Sequence, residues 1–261
     1  MPLDPSVALL TDRVAIVTGA AVGIGEAIAT TFARFGAHVA ICDRDVPKLD
    51  TTADAIEAAG RRVVAGELDV RDGEQVRGFL DIVREQFDHV DILVNNAGGG
   101  FHADFLDVNE KGQDALVREN FVSVTHFIRG VVPLVPPAPQ GGSIVNVTSI
   151  EAHRAAPGFG VYSAMKAAVA SLTKTLALEL GHRMIRVNCI APDVIPTPGI
   201  GGDVEVKTPL PCAGHVDDIA AAAVFLAGDL SRFVTGVTLH VDGGNVVAGG
   251  WHRLEDGMFG T

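Results

Sequence analysis

Residues 13–25 read RVAIVTGAAVGIG, an apolar run that passes through a glycine-rich turn into a helical stretch ending at Gly36. Within the turn, Gly19, Gly23 and Gly25 follow the spacing G-x3-G-x-G, not the commoner G-x-G-x-x-G. A strand, a glycine turn and a helix start together form a cradle for a dinucleotide pyrophosphate, because the backbone can approach the phosphates and the helix offers unpaired N–H groups. A tight connection with no ligand is the alternative, and the strand-to-helix context favours the cofactor.

Beyond this unit, apolar strands alternate with helical stretches along the chain. This alternation predicts parallel βαβ units in an α/β fold: a Rossmann-like, doubly wound sheet of seven strands with helices on both faces, in a single domain. After the first strand, we predict strands at 38–42, 62–65, 90–94, 143–148, 185–190 and 237–241, and helices at 48–59, 73–87, 109–135, 158–180 and 216–227. Residues 1–11 are expected to form an N-terminal arm and 245–261 a glycine-rich tail.

Polar residues stand where the first four strands end: Thr18, Asp43, Asp69 and Asn96. In parallel sheets, ligands bind beyond the carboxyl ends of the strands. Asp43 lies about twenty residues past the glycines, where a carboxylate accepts hydrogen bonds from the adenosine ribose and repels a 2′-phosphate. We therefore expect NAD as the cofactor, with NADP less favoured but kept open by Arg44, whose guanidinium suits a phosphate. An aspartate that caps the next helix is the alternative.

Tyr162, the only tyrosine, stands four residues before Lys166 in a predicted helix. Positions i and i+4 share a helix face, so the phenol and the ammonium project together. A neighbouring cation and an oxidised nicotinamide both favour the phenolate, and lowering its pKa by about three units corresponds to roughly 4 kcal/mol. Such a pair is suited to exchange a proton with a substrate hydroxyl. A tyrosine packed in the core beside a solvated lysine is the alternative.

The bulk composition excludes several classes. A formal charge of −12 and a pI near 5.1 weigh against nucleic acid or an anionic membrane surface as partners. Cys42, Cys189 and Cys212 lack metal-ligand spacing, as do the nine histidines, so we expect no metal and free thiols in a reducing compartment. With no secretory signal and no apolar stretch long enough to cross a bilayer, a cytoplasmic protein is expected.

Further motifs fall in one order along the chain. They are TGAAVGIG from Thr18, LDV from Leu68, NNAG from Asn95, a helical Asn120, Ser149 thirteen residues before Tyr162, YSAMK from Tyr162, NCIAPD from Asn188 and VDGG from Val241. Together they resemble the classical short-chain dehydrogenase/reductase family, from Leu10 to about Gly244.

The resemblance implies a catalytic tetrad. Tyr162 would be the acid/base, Ser149 would hydrogen-bond the substrate oxygen, Lys166 would lower the pKa of Tyr162 and bind the nicotinamide ribose, and Asn120 would hold a water that relays protons. Hydride would pass between the nicotinamide and a secondary alcohol or its ketone. The implied cofactor contacts are Gly19, Val22, Gly23, Ile24, Gly25, Asp43, Asp69, Val70, Asn96, Ala97, Gly98, Tyr162, Lys166, Pro192, Ile195 and Thr197.

The resemblance also implies assembly and leaves alternatives for substrate. Relatives commonly pair the helices that carry Asn120 and Tyr162, which implies a homotetramer or a homodimer. A 3-oxoacyl thioester reductase using NADPH is one alternative, although the loop 136–140 has no cation for an acidic carrier protein. Residues 96–100, NAGGG, look like the glycine turn of some hydroxysteroid dehydrogenases and point to a bulky alicyclic alcohol. A catalytically idle protein that senses NAD(H) is the other alternative.

Three features depart from the family pattern. Asp193 follows Pro192 where relatives have glycine, and we expect it to keep the turn because aspartate tolerates left-handed backbone; its charge would stabilise an oxidised cofactor. The substrate lid, assigned to 198–214, is short and glycine-rich, which predicts an open pocket. Glu151 and the pair His153-Arg154 replace small residues and would give the pocket polar walls, or else lie as solvated loop residues.

Overall fold

The computed structural model describes residues 4–198, 208–250, 252–254 and 258–260. Within them, seven strands form one sheet in the order β3-β2-β1-β4-β5-β6-β7, and every pair of neighbours is parallel. The predicted Rossmann-like fold in a single domain is thereby confirmed. The strands are β1 Val14–Thr18, β2 His38–Asp43, β3 Val63–Glu67, β4 Ile92–Asn95, β5 Gly142–Val147, β6 Ile185–Pro192 and β7 Thr238–Val241.

Helices cover both faces of the sheet. They are α1 Gly23–Arg34, α2 Val46–Ala58, α3 Gly73–Phe87, α4 Glu110–Val117, α5 Ser123–Val131, α6 Gly160–Leu180, α7 Val216–Ala227 and α8 Asn245–Ala248. The helices α1, α2 and α7 supply one apolar cluster, and α3, α5 and α6 supply the other. Along β1, Ala15 and Val17 belong to the first cluster while Val14 and Ile16 belong to the second. This two-residue alternation, with both faces buried, explains why the strand is apolar throughout.

The single helix predicted over 109–135 is divided in the structure into several helical segments. After α4, residues Arg118–Val122 form a π-helical segment, and α5 is followed by a 3₁₀ turn at Val132–Leu134. Within this segment, the Nδ2 of Asn120 donates to the carbonyl oxygen of Leu116 at 3.0 Å. In a regular α-helix the backbone N–H of Asn120 donates to that same oxygen, so the amide side chain bonds at the point where the helix changes its pattern.

The arm and the tail contain short elements that the sequence pattern did not predict. In the arm, Pro5–Ala8 form a 3₁₀ helix. In the tail, α8 forms because the carboxylate of Asp242 accepts the N–H groups of Gly244 (3.0 Å) and Val246 (2.7 Å), and a short antiparallel hairpin pairs His252–Arg253 with Phe259–Gly260. Most of the lid, 199–207, lies outside the described residues. Among the described helices, none is both long and apolar enough to cross a membrane.

Candidate active site

A cleft of about 470 Å³ opens at the carboxyl ends of the central strands. Most of the site residues predicted from the sequence line it: Gly19, Val22, Gly23, Ile24, Asp43, Val70, Asn96, Ala97, Gly98, Ser149, Tyr162, Lys166, Pro192, Ile195 and Thr197. Sequence reasoning did not place Leu68, Gly99, Gly100, Glu119, Val147 and Thr148 there. The signal for them was their position, since each lies within three residues of a predicted site residue. Gly25, Asp69 and Asn120 do not line the cleft.

The glycine turn forms a close-fitting cradle at one end of this cleft. Gly19 and Gly23 have φ angles of +66° and +67°, which side-chain-bearing residues rarely adopt. At Gly25, an added Cβ would lie 2.0 Å from the carbonyl oxygen of Gly19. Gly25 therefore packs against the backbone of the turn, and only a glycine fits there. Val22, at the N-cap of α1, makes no side-chain capping bond, which leaves the first N–H groups of the helix beside the cleft. This arrangement fits the pyrophosphate of a dinucleotide.

A hydrogen-bond staple joins the ends of β1 and β4. The Oγ1 of Thr18 accepts the N–H groups of Asn96 and Ala97, each at 3.0 Å. In return, the Nδ2 of Asn96 donates to the carbonyl oxygens of Thr18 and Gly19, each at 3.0 Å. The side chain of Asn96 therefore fixes the glycine turn, while the residue as a whole lines the cleft.

Asp43 ends β2 beside the glycine turn. Its carboxylate accepts backbone N–H groups from Ala21 at 3.1 Å, Arg44 at 2.6 Å and Asp45 at 3.2 Å. These bonds hold a negative charge at the place where the βαβ geometry puts an adenosine ribose.

Asp69 does not reach this cleft with its carboxylate. Strand β3 ends at Glu67, and in the following loop the guanidinium of Arg71 folds back onto Asp69, with Nε at 2.9 and 3.0 Å from its two oxygens. This hydrogen-bonded ion pair lowers the pKa of Asp69. The carboxylate lines a separate cleft between α3 and α4 instead, while Leu68 and Val70 on either side face the site.

Tyr162, Lys166 and Ser149 meet at the other end of the site. The first two lie on successive turns of α6, and Ser149 follows β5 as the N-cap of a 3₁₀ turn, its Oγ accepting the N–H of Glu151 at 3.2 Å. The hydroxyl of Ser149 favours the phenolate of Tyr162 and acts to lower its pKa. The Nζ of Lys166 lies 5.6 Å from the centre of the Tyr162 ring. Gly100 leaves room for that ring, since a Cβ there would lie 3.1 Å from its Cγ.

The electrostatics of this group differ from the sequence expectation. Burial raises the pKa of Tyr162, the hydrogen bond from Ser149 opposes that rise, and the charge of Glu151 adds to it. Lys166 is not among the groups that shift this pKa, and its Nζ donates to the carbonyl oxygen of Val147 at 3.0 Å. Burial also lowers the pKa of Lys166 to about 8. This value is still above neutral pH, so the lysine remains mostly protonated there. The phenol is thus a proton donor in this state.

Asn120 is fully buried behind the loop that follows β4. Its Oδ1 accepts the N–H of Gly99 at 3.2 Å, and its Nδ2 donates to the carbonyl oxygen of Gly99 at 2.8 Å and to that of Leu116. A Cβ at Gly98 would lie 2.8 Å from the Oδ1 of Asn120 and 3.0 Å from the Nζ of Lys166. In this structure Asn120 therefore positions the glycine loop against the lysine.

A chain of charged groups borders the site beyond Tyr162. Arg154 contacts Glu151 at 2.8 Å and lies 3.9 Å from Asp193, whose Oδ2 in turn accepts the Nδ2 of Asn245 at 2.7 Å. The expectation of a left-handed turn at Asp193 is wrong. Among the described residues, positive φ angles outside glycine occur at Asp12, Asp88 and Met184. The side chain of Asp193 lines the cleft and tethers α8.

Comparisons with known proteins agree with this geometry. A family described as enoyl-(acyl carrier protein) reductase matches residues 19–245. The chain is 38% identical to an uncharacterized oxidoreductase of Mycobacterium tuberculosis (90% of this chain, 92% of the relative). It is 36% identical to the 3-oxoacyl-acyl-carrier-protein reductase of Thermotoga maritima (91% and 99%).

Two solved structures are also similar. Carveol dehydrogenase from Mycobacterium avium in complex with NAD superposes with a TM-score of 0.86 at 31% identity, covering 91% of this chain and 99% of that one. A 7α-hydroxysteroid dehydrogenase in complex with NADH and 7-oxo glycochenodeoxycholic acid superposes with a TM-score of 0.88 at 32% identity, covering 93% and 98%.

Proposed function

Because the chain belongs to the short-chain dehydrogenase/reductase family, we propose that it is an NAD-dependent oxidoreductase acting on a secondary alcohol or its ketone. One observation carries this proposal: Ser149, Tyr162 and Lys166 converge at one end of a cleft whose other end is the glycine cradle. A protein that only binds a dinucleotide has no need of a buried cation beside a phenol.

Each residue has a role that follows from its position. The nicotinamide, when bound, supplies or accepts the hydride. Ser149 hydrogen-bonds the substrate oxygen, and Tyr162 gives that oxygen a proton in reduction or takes one in oxidation. Burial keeps Tyr162 protonated for reduction. In oxidation, the charge of Lys166 and that of an oxidised nicotinamide together favour the phenolate. Asn120 holds the glycine loop in place.

NAD rather than NADP is favoured by the carboxylate at the end of β2. Asp43 is fixed by three backbone N–H groups and would repel a 2′-phosphate at the adenosine ribose. The two solved structures described above, which are in complex with NAD and with NADH, support the same choice.

An alicyclic alcohol is the substrate class that we favour. Phe101, Phe105 and Leu106 are exposed apolar side chains in the segment after the glycine loop, and Phe105 lies close to Gly160 at the start of the helix that carries Tyr162. The ring of Phe159 lies 6.3 Å from that of Tyr162. Apolar and aromatic side chains near the phenol suit a bulky apolar ring system, and the carveol and hydroxysteroid dehydrogenases act on compounds of this kind.

A 3-oxoacyl thioester reductase using NADPH is the second candidate. The relative from Thermotoga maritima and the matching family description favour it. Against it stand the acidic chain, with a formal charge of −12, and the loop 136–140, which offers no cation to an acidic carrier protein.

The deciding experiment follows absorbance at the reduced-nicotinamide band. Alicyclic secondary alcohols with NAD or NADP, and alicyclic ketones and a 3-oxoacyl thioester with NADH or NADPH, are compared at equal concentrations. We expect turnover of an alicyclic pair with NAD(H). Turnover of the thioester alone with NADPH would select the second candidate, and tight NADH binding with no turnover of any substrate class would select a sensor.

For assembly and location, we propose a cytoplasmic homotetramer or homodimer. Leu178 on α6 is almost fully exposed, and Phe225 on α7, which packs against the opposite side of the sheet, is partly exposed. Each side of the sheet therefore offers apolar surface for a second copy. The unpaired Cys42 and Cys189 suit a reducing compartment. Size-exclusion chromatography with light scattering tests the assembly, and a monomeric mass would contradict it.

A further inference from the structure

An ion pair joins two residues that line the cleft, one of them next to Asp43. The Nη2 of Arg44, which follows β2, lies 3.4 Å from the Oε1 of Glu119, which belongs to the π-helical segment before α5. Both residues line the cleft. The pairing of Glu119 with Arg44 does not follow from the sequence motifs, because the two positions are 75 residues apart.

The two partners differ in how firmly they are held. The backbone of Glu119 sits in the π-helical segment, where its carbonyl oxygen accepts the Oγ of Ser123 at 2.6 Å, and its side chain is 24% exposed. The side chain of Arg44 is 58% exposed, although its backbone N–H is bound by Asp43. The guanidinium of Arg44 is therefore the more solvent-exposed partner, and Glu119 is the more buried one, on a backbone fixed by the helical segment.

A guanidinium beside the ribose-binding aspartate is the group that would otherwise bind a 2′-phosphate. In this chain it points to Glu119, and that carboxylate adds a second negative charge to the half of the cleft where the phosphate would sit. We propose that Glu119 is a specificity-determining residue that holds Arg44 and thereby disfavours NADP. This inference rests on the proposed function, because it concerns the same cofactor half.

The neighbouring charges decide which measurement is informative. Arg71 also feels the charge of Glu119, but its guanidinium is bound by both oxygens of Asp69. Glu119 also raises the pKa of Lys166, so a change at Glu119 alters the catalytic end as well. Equilibrium binding of the two coenzymes separates the effect on the 2′-phosphate from any effect on turnover.

The experiment measures dissociation constants of NADH and NADPH for the full chain by calorimetry. In the Glu119→Gln variant, Arg44 is released, and we expect the constant for NADPH to fall about tenfold while that for NADH changes less than about twofold. In Arg44→Ala, the constant for NADPH is expected to change less than about twofold, because the guanidinium is already engaged. In the double variant, Glu119→Gln with Arg44→Ala, most of the increase in NADPH affinity should disappear.

Several results would overturn the inference. One is an equal increase in affinity for NADH and NADPH in Glu119→Gln. Another is an increase in NADPH affinity that persists in the double variant, which lacks the guanidinium of Arg44. A roughly tenfold weaker NADPH complex in Arg44→Ala alone would also overturn it, and this exposed substitution tests the idea even if Glu119→Gln does not fold. Asp114→Asn is the matched control, since it removes a carboxylate paired with Arg118 outside the cofactor cleft. A parent protein that binds neither coenzyme would instead refute the proposed function.

Discussion

The two halves of the cleft are built by different means. The cofactor half, at residues 19–24, 43–44 and 96–98, is shaped by backbone conformation: positive φ angles at Gly19 and Gly23, held by side-chain-to-backbone hydrogen bonds between Thr18 and Asn96. The substrate half, at residues 147–149, 162 and 193, is shaped by side chains whose charges and burial decide its chemistry. Steric changes should therefore damage binding in the first half, and changes of functional group should damage turnover in the second.

The largest effect is expected at Tyr162. Tyr162→Phe removes the proton donor and keeps the ring, so kcat should fall about a thousandfold while the dissociation constant of NADH changes less than about twofold. Initial rates and calorimetry on the same preparation provide the two values. Turnover at the parental rate would contradict the assigned role, and a parallel loss of NADH affinity would remove the contrast between the two halves.

At Gly25, in contrast, we expect a substitution to weaken NADH binding. Its added Cβ would lie 2.0 Å from the carbonyl oxygen of Gly19 and must displace the glycine turn. In Gly25→Ala we expect about a hundredfold weaker NADH binding, corresponding to about 3 kcal/mol. Gly78→Ala in α3 is the matched control, because a Cβ there meets nothing within 4 Å. Equal NADH affinity in the two variants would show that the turn tolerates a methyl group and is not a close-fitting cradle.

Lys166 lies between the halves, and its burial should make stability depend on pH. Because folding lowers its pKa from 10.5 to about 8, the unfolded chain binds an extra proton between those values, so this group's contribution to the free energy of unfolding rises with pH across that range. Lys166→Met abolishes the titration. The stability of the parent relative to the variant should rise by about 3 kcal/mol from pH 7 to pH 10.5.

Urea unfolding of both proteins at several pH values measures this difference. The raised pKa of Tyr162 acts in the opposite direction above pH 10, but it is present in both proteins and largely cancels in the comparison. A stability difference that does not change with pH would contradict the buried, easily deprotonated lysine.

The smallest effect is expected at Glu151. Its negative charge acts to raise the pKa of Tyr162, and Arg154 at 2.8 Å partly neutralises that charge, so Glu151→Gln should lower the pKa of Tyr162 only slightly. Because Tyr162 is the only tyrosine, phenolate absorbance reports its titration directly. Glu179→Gln, an exposed change at the far end of α6, is the matched control. An identical titration of Tyr162 in both variants would show that the charge of Glu151 does not affect the pKa of the phenol.

Local sequence predicted the elements that depend on local pattern. The helices α3 and α7 begin and end where their apolar periodicity predicts, and the remaining predicted strands and helices shift by a few residues at their ends. The π-helical segment at Asn120 was missed because the apolar periodicity runs on through it. The ion pair between Arg71 and Asp69 was not predicted either, because the sequence position of Asp69 does not reveal that Arg71 folds back onto it.

The sequence by itself determined the parallel sheet, the glycine cradle and the residues that carry the proposed chemistry, because alternating apolarity, glycine spacing and i, i+4 placement are set by backbone geometry. Tertiary structure alone decided the electrostatics. It buried Tyr162 so that its pKa rises, aimed Lys166 at the carbonyl of Val147, and brought Arg44 to Glu119. Desolvation and charge pairing depend on distances between residues far apart in the chain, and no local pattern records those distances.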